Sequence, residues 1–210
     1  MEAVRMEPAV LKAYRPRPKH DLMAFPGLDP PAALGRALEA HDAGTHEHSR
    51  DVVDLSLAVA DALGLDAYER RVVELSALLH DIGKLAVPRE VLDKPGPLDE
   101  REWALMHRHT IDGQRMVEGS DTAMAIIGQV VRSSHERWDG GGYPDGLVGA
   151  AIPLAARIVT VADAYSAMTS DRPYRRALSE DHARRDLRAN AGSQFDPAVV
   201  DAALAALARG

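Results

Sequence analysis

After Pro31, apolar side chains recur at helical spacing along most of the chain, and no stretch alternates convincingly at period two. In "HSRDVVDLSLAVADALG", Val52, Val53, Leu55, Val59 and Leu63 form a broad stripe that closes at Gly64, which predicts a helix with one buried face. The next stripe, Val72, Leu75, Leu78 and Leu79 in "RRVVELSALLHD", follows Asp66 and Glu69, an aspartate form of the capping box. The segments "PAALGRALEAHD", "TAMAIIGQVVRSS", "LAARIVTVADAYSAMTS", "SEDHARRDLRAN" and "DPAVVDAALAALA" predict further helices, the last with Asp196 as cap and Pro197 at its first position. Between them, "VPREVLDKPGPLDEREW" enforces a loop before Asp99 and Glu102 restart a helix, and "WDGGGYPDGLVGAAIP" reads as a glycine-rich loop. With no internal repeat, the predicted fold is all-α, a helical bundle.

Polar residues interrupt this pattern at a few places. The run "LLHDIGK" ends an apolar helix in His80, Asp81 and Lys84, three groups that cost free energy to bury. Adjacent on a helix, His80 and Asp81 project about 100° apart and can approach one cation from two directions, with Lys84 on their side if the helix continues. Asp163 breaks the otherwise apolar "IVTVADAYSAM", and His48, His109 and His135 sit near predicted helix termini. Each alone has a plain explanation, as a surface group or a buried ion pair. Together, a metal centre is the more economical account.

Composition narrows the chemistry. The 210 residues contain no cysteine, so disulfides and zinc–thiolate sites are excluded and a metal must be held by His, Asp or Glu. A net charge of −7 argues against a nucleic-acid polymer as partner while leaving room for a local positive site for a small phosphate ligand. The start carries no leader pattern and no stretch is long and apolar enough to span a membrane, so the expected location is the cytoplasm. Residues 1–35, with five prolines in "YRPRPKHDLMAFPGLDPP", read as a tail or short helical extension, and residues 36–210 as one domain.

The ordered set His48, His80–Asp81 and Asp163 resembles the HD superfamily of metal-dependent phosphohydrolases, and "HDIGK" followed by "HERWDGGGYPDG" resembles its HD-GYP branch. "DKPGPL", "TSDRPYR" and "GSQFDP" resemble further family segments in the expected order, from about Asp42 to Leu207. The resemblance implies an HD-type helical bundle with an added GYP loop and C-terminal helices. It implies hydrolysis of cyclic di-GMP to pGpG, with onward cleavage to GMP left open, by a water activated on two divalent ions, iron or manganese. Carried over by position, His48, His80, Asp81 and Asp163 would hold the first ion, and Asp81, His109 and His135 the second. Asp81 and Lys84 would be the catalytic pair, the lysine stabilising phosphate charge. Tyr143, Arg172 and Arg175 would bind substrate, with Tyr143 stacking on a guanine and the arginines gripping the second phosphate.

Two positions depart from the pattern. Ser134 stands where the branch has the first of two consecutive histidines, and Gly44 where trinuclear members have a glutamate, with Glu47 nearby but not matching. A weaker second ion and no third ion are expected. A phosphohydrolase for another phosphoester, or a signalling module that binds nucleotide or a partner with little turnover, are the alternatives. A diguanylate cyclase or other signalling protein docking on the GYP loop, and a homodimer, are compatible partners. His41, His46 and His107 match no ligand position, and Trp103 and Trp138 read as packing anchors.

Overall fold

Helix α1 (Thr45–Ala62) ends where the pattern of apolar positions closes: Gly64 adopts φ +71°, and the amides of Leu63 and Leu65 donate to the carbonyls of Val59 and Ala60. Helix α2 (Ala67–Leu79) then starts at a complete capping box. The Asp66 carboxylate accepts from the Glu69 amide and the Glu69 carboxylate from the Asp66 amide, both at 2.9 Å. These observations come from a computed structural model, which describes residues 45–118, 122–171 and 176–209.

Along the chain follow α3 (Arg89–Leu92), α4 (Glu100–His107), α5 (His109–Val117), α6 (Thr122–Arg132), α7 (Leu154–Thr169), α8 (Glu180–Ala189) and α9 (Pro197–Leu207). A second capping box, Asp99 with Glu102, opens α4, and Asp196 caps α9 at the Ala198 amide. Among the described residues there is no strand, only isolated bridges at Asp139–Val148 and Ala191–Phe195. The expected all-α bundle is what the described residues form.

Helix α2 sits at the junction of the core. Val72 and Val73 join the main cluster with Val59, Ile158, Val161, Leu187 and Val199, whereas Leu75 and Leu79 join Ile82, Ile127 and Val131. Ala77 faces Val52, Val159 and Ala162, so small side chains let α1, α2 and α7 approach closely. The polar end of α2 therefore emerges between three packed helices rather than into open solvent.

Three local expectations change. The helix does not continue through Lys84: after His80 the chain tightens into a 3₁₀ turn over Ile82–Ala86. His109 does not end α4 but begins α5, a helix the sequence pattern did not suggest because "HTIDGQRMV" has a thin apolar stripe. The short α3 lies inside the segment read as loop. The 1–35 tail, the "PAALGRALEAHD" helix, Gly44 and His41 lie outside the described residues, as do the side chains of His46 and Glu47.

Candidate metal centre

The sharp turn after α2 is made possible by Gly83. A Cβ placed there would lie 1.8 Å from the His109 carbonyl oxygen and 2.5 Å from the Gly113 amide nitrogen, so only glycine lets the 3₁₀ turn touch α5. This contact sets His109 beside Asp81. The 3₁₀ turn also returns Lys84 to Asp81 without helical continuation, with Nζ 2.5 Å from Oδ2.

Two groups of three result, one of His48, His80 and Asp163 and the other of Asp81, His109 and His135. In the first, His48 Nε2 lies 3.1 Å from Asp163 Oδ1. In the second, His109 Nε2 is 3.6 Å and His135 Nε2 4.0 Å from Asp81 Oδ1. The other oxygen of Asp81, Oδ2, lies 3.4 Å from His80 Nε2. Asp81 thus turns one oxygen to each group. All six residues brought forward as metal ligands from the sequence converge, together with Lys84.

Around this centre the outward nitrogens are fixed. His48 Nδ1 pairs with Ser166 Oγ at 2.8 Å, His80 Nδ1 with the Ala77 carbonyl at 2.8 Å, and His109 Nδ1 with the Met106 carbonyl at 2.6 Å. With Nδ1 donating to a carbonyl, Nε2 of His80 and His109 carries a lone pair pointing inward. Yet His80 Nε2, Asp81 Oδ1, His109 Nε2 and His135 Nε2 are buried without a hydrogen-bond partner. One such orphan costs about 1–3 kcal/mol, and four aimed at one another form the donor set a cation would satisfy.

The charge states suit that role. Burial pushes the Asp81 carboxyl up, but Lys84 and the surrounding histidines outweigh it and hold the group well below the usual carboxylate range. Burial also opposes ionisation of Asp163, and the His48 hydrogen bond overrides it to bring the value down to about 2. Burial lowers His109 to about 4, despite the opposing pull of Asp81, so its ring is neutral at pH 7.

The loop after α6 closes the centre. Buried Glu136 accepts from the amides of Asp145 and Leu147 at 2.7 and 3.0 Å, and Arg132 grips Asp145 with two bonds at 2.6 and 2.7 Å. Gly142 lies so close to the Glu136–Arg137 backbone that a Cβ would sit 2.3 Å from the Arg137 nitrogen. Tyr143 is thereby laid over the centre, its amide donating to the His135 carbonyl at 3.2 Å. Its ring is stacked on both His107 and His135, so a guanine would have to displace one of them to stack there. Ser134 turns its hydroxyl to the Val131 carbonyl at 2.9 Å and offers nothing to the second group. Arg172 and Arg175 lie outside the described residues. Sequence reasoning missed Ser166, Glu136 and His107, whose parts depend on partners far along the chain or on a ring stack that no motif spacing encodes.

A family model described as an HD domain matches residues 33–199. The chain is 46% identical over 172 residues to the cyclic di-GMP phosphodiesterase response regulator RpfG of Xanthomonas campestris pv. campestris, covering 81% of this chain and 46% of that protein. It is 38% identical over 172 residues to a cyclic di-GMP phosphodiesterase of Thermotoga maritima, covering 81% and 47%. It thus spans about half the length of these curated relatives. Among solved structures, a cyclic GMP-AMP specific phosphodiesterase of V. cholerae superposes with a TM-score of 0.64 at 20% identity, over 84% of this chain and 47% of that one. At that identity the likeness is one of fold. No helix among the described residues is long and apolar enough to cross a membrane.

Proposed function

The chain belongs to the HD domain family, and from that premise we propose that it is a metal-dependent phosphodiesterase that opens cyclic di-GMP to linear pGpG. The observation that carries this reading is the pair of clusters that Asp81 faces, in which His80 Nε2, Asp81 Oδ1, His109 Nε2 and His135 Nε2 are buried without a hydrogen-bond partner. The names of the relatives support the substrate class.

His48, His80, Asp81 and Asp163 would hold one cation, and Asp81, His109 and His135 the other. Bound there, iron or manganese would polarise a phosphodiester and make a neighbouring water more acidic. The chain's own residues do the rest. Asp81 and Asp163 stay ionised to low pH, and neutral His109 keeps a lone pair for coordination. Lys84, a third exposed, places its ammonium beside Asp81, where it can meet a non-bridging phosphate oxygen and balance charge that grows in the transition state. Arg172 and Arg175 are proposed, on sequence alone, to hold the second phosphate.

One observation favours a weaker catalyst. Because the Ser134 hydroxyl is committed to Val131, the second cluster offers three protein ligands, and a nucleotide-binding module with slow turnover follows if that ion is lost. The test is metal analysis of anaerobically purified protein, followed by hydrolysis assays with cyclic di-GMP and with 3′3′-cyclic GMP-AMP in iron and in manganese. Two metals per chain with faster cleavage of cyclic di-GMP is the expected result. Two metals with cleavage of neither dinucleotide overturns the substrate, and absence of metal overturns the centre.

A further inference from the structure

Three of the four clustered histidines are oriented by a hydrogen bond on the nitrogen that faces away from the cluster: His48 by Ser166, His80 by Ala77 and His109 by Met106. Such a partner fixes the ring's angle and leaves the inner nitrogen directed at a cation. His135 is held differently. Among the described residues no hydrogen bond orients its ring, its Nε2 lying 4.0 Å from Asp81 Oδ1.

What touches its ring is aromatic. His135 lies nearly parallel to Tyr143, with centroids 5.2 Å apart and planes 9° apart. Tyr143 is also stacked on His107, at 3.9 Å and 18°, and His107 leans on Trp103 at 5.4 Å. The pile is anchored at both ends. His107 is the last residue of α4, and Tyr143 is tied by its amide to the His135 carbonyl within a loop fastened by Glu136. Removing His107 would leave Tyr143 held by that backbone bond, by its stack on His135 and by an edge contact with His109 at 6.4 Å, and free to tilt into the space vacated on the α4 side.

We propose that His107 is a positioning residue for His135, acting through Tyr143, so that ring stacking does at this ligand what a hydrogen bond does at the other three. The inference rests on the metal-centre reading and extends it to a residue that matches no ligand position. A parallel pair of flat rings resists tilt and slip of His135, which is the freedom the missing hydrogen bond leaves. It also accounts for why Tyr143 cannot serve at once as support and as base platform.

The test is a titration of metal-free protein with cobalt(II), read by visible absorption and by calorimetry, with the two binding events assigned by repeating it on His48→Ala. Wild type should take up two ions. His107→Ala should weaken the second event about tenfold or more while leaving the first unchanged, and His107→Phe, which keeps a flat ring, should restore it. Tyr143→Phe should bind like wild type and Tyr143→Leu like His107→Ala. The unchanged first event, with circular dichroism, guards against simple misfolding. A second event in His107→Ala equal to wild type overturns the proposal, as does failure of His107→Phe to rescue a weakened one. Wild type that binds only one ion removes His135 from the centre and overturns it as well. Wild type that binds none overturns the metal centre itself, a result seen before any variant is compared.

Discussion

The cluster of His48, His80 and Asp163 stands on regular helix: His48 in the first turn of α1, His80 capping α2 and Asp163 inside α7, three helices drawn together by Val52, Ala77, Val159 and Ala162. The cluster of Asp81, His109 and His135 stands on junctions: a residue entering a 3₁₀ turn, the first residue of α5, and a loop position after α6. One half is placed by core packing and the other by a glycine contact, a ring stack and a fastened loop. Placement by packing is redundant, because many apolar contacts fix each helix. Placement at junctions depends on single residues, and the second cluster is therefore where single substitutions should act most selectively.

The comparison breaks first at the residue the halves share. Asp81→Ala removes the carboxylate that faces both groups, so both ions and at least about a thousandfold of phosphodiesterase activity should be lost while helical circular dichroism persists. Retention of either ion, by elemental analysis, would place the halves on separate supports. Next in size is Gly83→Ala. With backbone atoms at 1.8 and 2.5 Å from the new Cβ, the turn must move away from α5, at a cost of about 3 kcal/mol or more. A drop of roughly 6–12 °C in Tm is expected, with loss of the second ion before the first. An unchanged Tm would mean that the turn does not need this contact.

These differences also explain what could be read from the chain. Helix α7 and its Asp163 were legible because a carboxylate in an apolar run is costly and conspicuous. The capping boxes at Asp66 and Asp99 marked helix starts directly, and both form as the spacing suggests. The second cluster was legible only as residues, not as geometry. That His109 begins a helix depends on the Gly83 contact, made across the chain, and "HTIDGQRMV" buries too few apolar side chains to announce itself. The Tyr143 ring was expected to be free for a base. It is engaged because α4 delivers His107 to it, a tertiary event with no local signal.

A smaller effect separates the halves by pH. His109 has its value lowered from 6.5 to about 4 by burial, a shift partly offset by Asp81 and reinforced by His135 and Lys84. A histidine depressed in the folded state contributes stability that is full above its unfolded value and is lost as pH falls, because the unfolded chain binds the proton first. Metal-free protein should therefore lose on the order of 2–3 kcal/mol between about pH 6.5 and pH 4 through this one ring. Asp81 and Asp163, both held below the ordinary carboxylate value of 3.8, act at lower pH, so the two phases separate. Urea denaturation of metal-free His109→Asn across that range checks the assignment: its stability curve should be flatter than wild type above pH 4. Parallel curves would put the pH dependence elsewhere.

The smallest expected effect concerns the residue that sets the second cluster's ligand count. Ser134 is buried, its hydroxyl bound to the Val131 carbonyl and its own carbonyl accepting from Thr160 at 2.8 Å, so its backbone is fixed beside His135. Ser134→His must first release the Val131 bond, worth about 1 kcal/mol, and then fit a larger ring at a closely packed position, which opposes the gain from an added ligand. The net result should be a few-fold tighter second ion and a matching rise in turnover at limiting metal, with the first ion unaffected. Competition titration against a chelator of known affinity reads this difference. If neither quantity moves, a solvent ligand already completes that shell, and the contrast between the two halves lies in how their side chains are supported rather than in how many there are.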